Sequence, residues 1–189
     1  TVTILLGNFW ASLAVCPLII GALGCFIERF FMRQAHKGGH LVELLLTFGL
    51  FYVFGELVRI IWGTAPLKVS MPPLLAGYIP LFGQTYPVYR LFILGFSVLI
   101  LIGLTFLLLR TRIGILVRAA VSDGQMVDSL GSNVQLLFLG VFGGGAALAA
   151  LAGVIAAPLL SPYPGMGMDI LLDCFVVVVI GGLGRLLGA

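Results

Sequence analysis

Five times in succession the chain runs for the length of a membrane crossing with few side chains that are not apolar: residues 3–27, 41–62, 88–109, 134–158 and 170–189. A helix needs roughly 20 such residues to cross the hydrocarbon of a bilayer. Lipid offers no partners to backbone N–H and C=O groups, and a helix satisfies its own. Composition leads the same way, with 61% hydrophobic and only 9% charged residues. A soluble domain carries about 45–50% and about 25%, so this chain could not cover a water-soluble surface. The fold expected is all-α, a polytopic transmembrane helical bundle with about five membrane segments in one domain over residues 1–189. The Gly-rich end of the fifth segment, GGLG, reads equally as part of a span or as a broken, re-entrant helix. No initiator Met opens the chain and it stops inside an apolar run, so an internal piece of a longer membrane protein is expected, with terminal parts missing.

The formal charge of +3 matters less than where the basic residues lie. Arg29, Arg33 and Lys37 fall in the connection at 28–40, and Arg110, Arg112 and Arg118 in that at 110–118. The connections at 63–87 and 159–169 are rich in Pro, Gly and Tyr and hold only Lys68, with Arg90 just beyond the first. The positive-inside rule places 28–40 and 110–133 in the cytoplasm. Prolines rule out a continuous helix through PPLLAGYIPLFGQTYP. Trp62, Tyr78, Tyr86 and Tyr89 suit anchoring at headgroup level, with an aromatic ligand cage as the alternative.

One long polar interruption, RTRIGILVRAAVSDGQMVDSLG, breaks the apolar pattern at 110–131. Ile113, Leu116, Val117 and Ala120 recur at helical spacing. Ser122 and Gln125 have the spacing of a capping box for a second short helix, with Met126, Val127 and Leu130 on one side. Gly131 stands where a helix-terminating glycine belongs. Two short helices joined by a turn are expected on the cytoplasmic face. A plain connector needs neither caps nor an apolar stripe; such an element could lie on the bilayer or dock into a partner's groove.

The run TRIGILVRAAVSDGQMVDSLGSNV resembles the cytoplasmic loop of the permease subunits of branched-chain amino-acid ABC importers. That family's loop reads approximately S/T-R-x-G-x-x-x-R-A, an acidic residue, then a short helix ending in L-G-x-N. Thr111, Arg112, Gly114, Arg118, Ala119, Asp123, Leu130, Gly131 and Asn133 match it. ERFFMR and the span after it, AALAALAGVIAAP and FVVVVIGGLGRLLGA extend the resemblance over about residues 25–189 in order. The chain departs from the family at Leu116, Val127, Ser132 and Arg185. The resemblance implies a transmembrane permease domain in the cytoplasmic membrane of a bacterium or archaeon. Its ATPase-coupling loop, 110–133, would use Arg112, Gly114, Arg118, Ala119, Asp123, Asp128, Leu130 and Gly131. Two ABC ATPase subunits, a paralogous permease subunit, an extracytoplasmic substrate-binding protein and the lipid bilayer are the implied partners; nucleic acid and cofactors are not implied.

Candidates for the transport path or for helix packing are Glu43, Thr47, Glu56, Arg59, Gly144, Gly145 and Asp173. Ionisable groups within spans commonly face a bundle interior or an aqueous cavity. Glu56 and Arg59 have the spacing of an ion pair on one helix face. Asp169 and Asp173 sit at a helix N-terminus, where the dipole favours negative charge. Gly145, Ala149, Gly153 and Ala157 form a small-residue face for close packing or for a gate's moving contact. Cys16, Cys25 and Cys174 lie in apolar runs and read as packing residues. No GxSxG, HExxH or Walker loop is present, so the chain reads as a transport subunit rather than an enzyme, with ATP hydrolysis in separate subunits. Permeases of the same superfamily for urea, amides or sugars, a secondary transporter or channel without ATPases, and a purely structural subunit are the alternatives.

Overall fold

A computed structural model describes residues 9–66, 77–81, 84–122, 124–131 and 133–181. In chain order these form α1 (Phe9–Ile27), a π-helical turn (Glu28–Met32), α2 (Arg33–Gly38), α3 (His40–Trp62), β1 (Tyr78–Leu81), β2 (Gln84–Pro87), α4 (Val88–Arg110), α5 (Arg112–Ser122), α6 (Gly124–Ser129), α7 (Val134–Leu160) and α8 (Met166–Gly181). Four helical runs among the described residues are long and apolar enough to cross a membrane: Phe9–Ala35, Leu41–Trp62, Val88–Arg110 and Val134–Leu160. α8 corresponds to the fifth expected span and is described for 16 residues. Of GGLG only Gly181 is described; its remaining residues and Arg185 lie outside the described residues, as do Lys68, Asp123 and Ser132.

The chain divides into two compact units, one made of the residues up to Arg33 with Val69–Leu160, the other of Gln34–Lys68 with those from Ser161 onward. The first is organised around α1 and α7, which pack along much of their lengths. Their contact is made of residues with almost no side chain. A Cβ at Gly24 would lie 2.7 Å from the Cβ of Ala146, and one at Gly21 3.2 Å from that of Ala147. A Cβ at Gly143 would collide with the sulfur of Cys25, whose thiol donates to the Leu139 carbonyl at 3.7 Å. Helices in lipid have no hydrophobic drive to associate, so such close backbone approach supplies the dispersion contacts instead. The expected face of Gly145, Ala149 and Gly153 is not the one used here. All three are exposed, and among the described residues nothing beyond the helix's own backbone lies within 4 Å of a Cβ at Gly144, Gly145 or Gly153.

At one end of α1 and α7 an aromatic cluster closes the unit. Tyr89, at the start of α4, is fully buried, and its hydroxyl donates to the Ile155 carbonyl at 2.7 Å. Phe9 meets the Tyr89 ring edge-on at 6.4 Å and Trp10 meets Phe92 at 6.2 Å. Pro158, inside α7, lacks the N–H that would complete the ladder one turn back, and the Tyr89 hydroxyl adds a donor to this proline-interrupted turn. Tyr89 is therefore not an interfacial anchor as expected, whereas Trp62, Tyr78 and Tyr86 are exposed. The connection before α4 contains an antiparallel hairpin with Tyr78 opposite Pro87 and Leu81 opposite Gln84. Val88 N–H closes it onto the Gly77 carbonyl at 2.9 Å. The sequence reading had excluded a helix there but had not specified strands.

At the other end, α1 widens into the π-helical turn, where the Arg33 N–H reaches back to the Glu28 carbonyl. Glu28 is buried, and the turn rests on α7. A hydrogen bond spanning five residues is rare and marks an interruption of the regular helix; no composition signal announced it.

In the second unit, α3 ends at Gly63, which takes φ +74 and donates its N–H to the Arg59 carbonyl at 2.9 Å. The bend before α8 returns on Gly165, at φ +115. A Cβ on Gly165 would lie 3.8 Å from an Arg59 guanidinium nitrogen, and one on Gly167 3.9 Å from the Phe51 ring. Across the bend the Tyr163 hydroxyl donates a short hydrogen bond to the Asp169 carboxylate.

Candidate functional site

The polar interruption is the two-helix element foreseen, α5 followed by α6. What holds it is a tight elbow at the end of α4. Thr111 is extended, at φ −99 and ψ 158, and so breaks the helix. Its hydroxyl accepts from the Gly114 N–H at 3.3 Å and donates to the Leu107 carbonyl. The first contact is an N-cap, the side chain satisfying one of the orphan donors of α5; the second ties that cap to the last turn of α4. The Ile115 N–H bonds the Thr111 carbonyl at 3.2 Å, beginning the new helix. Gly114 is buried in this corner. A Cβ there would collide with the Leu108 carbonyl oxygen and lie 2.7 Å from that of Leu107. Both obstacles are backbone, so no other residue fits.

Beyond the elbow the stripe read from the sequence divides. Ala120 is buried and Val117 half-buried, while Ile113 and Leu116 face outward. The inward line is Gly114, Val117 and Ala120, at three-residue steps, because close approach at Gly114 turns the smallest side chains toward α4 and α7. In α6 Val127 is buried, while Met126 and, just beyond the helix, Leu130 are exposed rather than sharing its side. Ser122 was expected at the N-cap of the second helix, but it is the last residue of α5 and α6 opens at Gly124. Asp123 and the side chains of Ser122 and Gln125 lie outside the described residues.

The end of α6 follows the sequence reading. Gly131 adopts φ +83 and its N–H bonds the Asp128 carbonyl at 3.0 Å, a conformation that costs a non-glycine residue about 1–2 kcal/mol. Asn133 then starts α7. Its side-chain oxygen accepts from the Leu136 N–H at 3.2 Å and its carbonyl from the Leu137 N–H at 3.2 Å. This N-cap was missed, although Asn before an apolar run is the usual signal for one. Of the loop candidates, Arg112, Ala119, Asp128 and Leu130 are exposed, and Arg118 is half-buried and partnered within the chain. The element thus presents Ile113, Ile115, Leu116, Val121, Met126 and Leu130 as exposed apolar side chains.

The polar residues of α3 do not share one face. At about 100° per residue, Glu43 and Thr47 lie on one side of the helix and Glu56 and Arg59 on the other. Glu43 is half-buried and partnered, and the Thr47 hydroxyl donates to the Leu44 carbonyl at 2.8 Å. Arg59 and Glu56 form the expected ion pair at 3.2 Å, more than half exposed on both sides, which limits its worth to about 0–1 kcal/mol. Asp173 is exposed on α8, and Gly144 and Gly145 are exposed on α7. Among the described residues no three His, Cys, Asp or Glu side chains come together as metal ligands would.

The family profile described as the permease component of the branched-chain amino acid transport system matches residues 1–189. The chain belongs to this family. The permease component BraD of the high-affinity branched-chain amino acid transport system of Pseudomonas aeruginosa is 29% identical over 188 residues, which are 95% of this chain and 60% of that protein. LivH of Escherichia coli K12, also a high-affinity branched-chain amino acid transport permease protein, is 27% identical over 91% of this chain and 57% of its own length. A probable branched-chain amino acid transport permease protein from Methanocaldococcus jannaschii is 26% identical over 93% of this chain and 59% of itself. The chain therefore spans 60% or less of the length of these curated relatives. No solved structure gives a significant match. Its membrane-length helices suit the family's place in the cytoplasmic membrane, with multiple crossings.

Proposed function

We propose that this chain is part of the membrane-spanning permease subunit of an ATP-driven importer for branched-chain or related hydrophobic amino acids. The substrate class is carried over from the names of its relatives. The remaining partners are a paralogous permease subunit and an extracytoplasmic protein that delivers substrate. Two ATPase subunits on the cytoplasmic side bind the α5–α6 element and hydrolyse ATP, so the chain itself carries no chemistry.

The observation that carries this reading is the set of exposed apolar side chains in α5 and α6. Ile113, Ile115, Leu116, Met126 and Leu130 are exposed in this element, and so are the charged Arg112 and Asp128. Exposed apolar side chains interspersed with charge suit docking to a partner. The surface is useful only if the ATPases grip it differently in their two nucleotide states. That difference is then the coupling free energy available to bias the spans between outward and inward access.

The test is copurification of the full-length subunit with the ATPases encoded beside it. Ile115→Glu and Leu130→Glu should release them and abolish ATP-dependent uptake while the subunit still inserts. Uptake that persists without any ATPase would overturn the reading.

A further inference from the structure

We infer that Thr111 and Gly114 are positioning residues that bolt the docking element to α4, so that α5 and α4 move as one lever. The inference rests on the proposed docking of ATPases to α5–α6 and adds the route by which their movement enters the membrane. A docking helix on a compliant linker would absorb displacement instead of passing it on. This one is joined through a single residue, Thr111, whose hydroxyl bonds both sides of the break: the Leu107 carbonyl of α4 and the Gly114 N–H of α5. Gly114 is buried against the carbonyls of Leu107 and Leu108, with no room for even a Cβ. Backbone packed on backbone has no rotamer to yield, and packed contacts shift between discrete arrangements rather than deforming continuously. The far side of the element is built otherwise: among the described residues, chain neighbours aside, nothing lies within 4 Å of a Cβ at Gly131. Thr111 is half-buried and Gly114 buried, so neither is among the exposed apolar side chains and their part is mechanical.

The experiment uses the full-length importer in proteoliposomes, with ATP hydrolysis and uptake measured together. Thr111→Val should keep the ATPases bound and hydrolysing, while substrate moved per ATP falls about tenfold or more. Thr111→Ser, which keeps the hydroxyl, should restore it. Spin labels on Leu101→Cys and Val121→Cys, in a background without Cys16, Cys25 and Cys174, should report one α4–α5 distance with and without ATP. If Thr111→Val does not fold, the wild-type distance still decides. An unchanged uptake-to-ATP ratio in Thr111→Val, loss of ATPase binding in that variant, or a distance that changes with nucleotide would each overturn the lever. Failure of the unsubstituted subunit to bind ATPases would instead overturn the function proposed above.

Discussion

Tyr89 and Tyr163 lie on the same side of the membrane by the charge rule, and both spend their hydroxyls inside the chain, yet they differ in what can be measured. The Tyr89 hydroxyl is fully buried and bonded to the Ile155 carbonyl. Tyr89→Phe should lower stability by about 0.5–1.5 kcal/mol, the net worth of one hydrogen bond. Thermal unfolding in detergent would register the loss. Tyr163 lies outside the spans, and the hydrogen bond to Asp169, with that carboxylate's charge, holds its phenol above the ordinary value. A proton held more tightly in the folded state stabilises the fold in full below the unfolded value. That stabilisation is lost as pH rises through the folded value. Asp169→Asn should therefore bring the Tyr163 phenolate titration down toward the ordinary range, followed by phenolate absorbance against a Tyr163→Phe control. An unmoved titration would show that the bend is not held this way.

Among the elements, the pair α1 and α7 gives the sharpest contrast. Gly24→Ala puts a methyl group 2.7 Å from Ala146 and should cost about 1–3 kcal/mol, as overpacking does. Gly145→Ala adds the same methyl group where nothing lies within 4 Å, and should leave the folding of this chain unchanged. Guanidinium-free thermal melts of both variants in one detergent would check the difference; equal losses would mean that the α1 contact is wrongly placed. Four residues of the family-like loop can be read in the same physical terms. Thr111 and Asn133 cap helices, Gly131 stops one, and Gly114 permits an approach that no side chain allows. Their fixed spacing was visible in the sequence. Capping at Thr111 and Asn133 was not read there, and the crowding at Gly114 depends on atoms of α4 that only folding brings near.

For the whole molecule, charge placement predicts orientation. A cysteine at Val121, on the arginine-rich side, should react with an impermeant maleimide in inside-out vesicles only. One at Tyr78, in the hairpin, should react in right-side-out vesicles only. Both positions are well exposed, at 67% and 72%, so access through the protein is not limiting, and the reverse pattern would invert the assignment. Span positions and the stop at Gly131 were legible because they follow from local rules: what lipid does to a backbone, and which residue tolerates positive φ. Which face of each span packs was not legible. In a bilayer both the inside and the outside of a bundle are apolar, so the periodicity that marks a buried face in water is missing. The small-residue step at Gly145, Ala149 and Gly153 was as plausible as the contact found at Gly21, Gly24 and Gly143. Likewise the burial of Tyr89, the π-helical turn at Glu28–Met32 and the elbow at Gly114 each depend on a neighbour remote in sequence or on a turn without a compositional mark. The sequence by itself determined which segments form membrane-length helices, because that is a contest between a segment and its solvent. The tertiary structure decided which atoms meet, because that is a contest of shape between segments that lipid makes chemically alike.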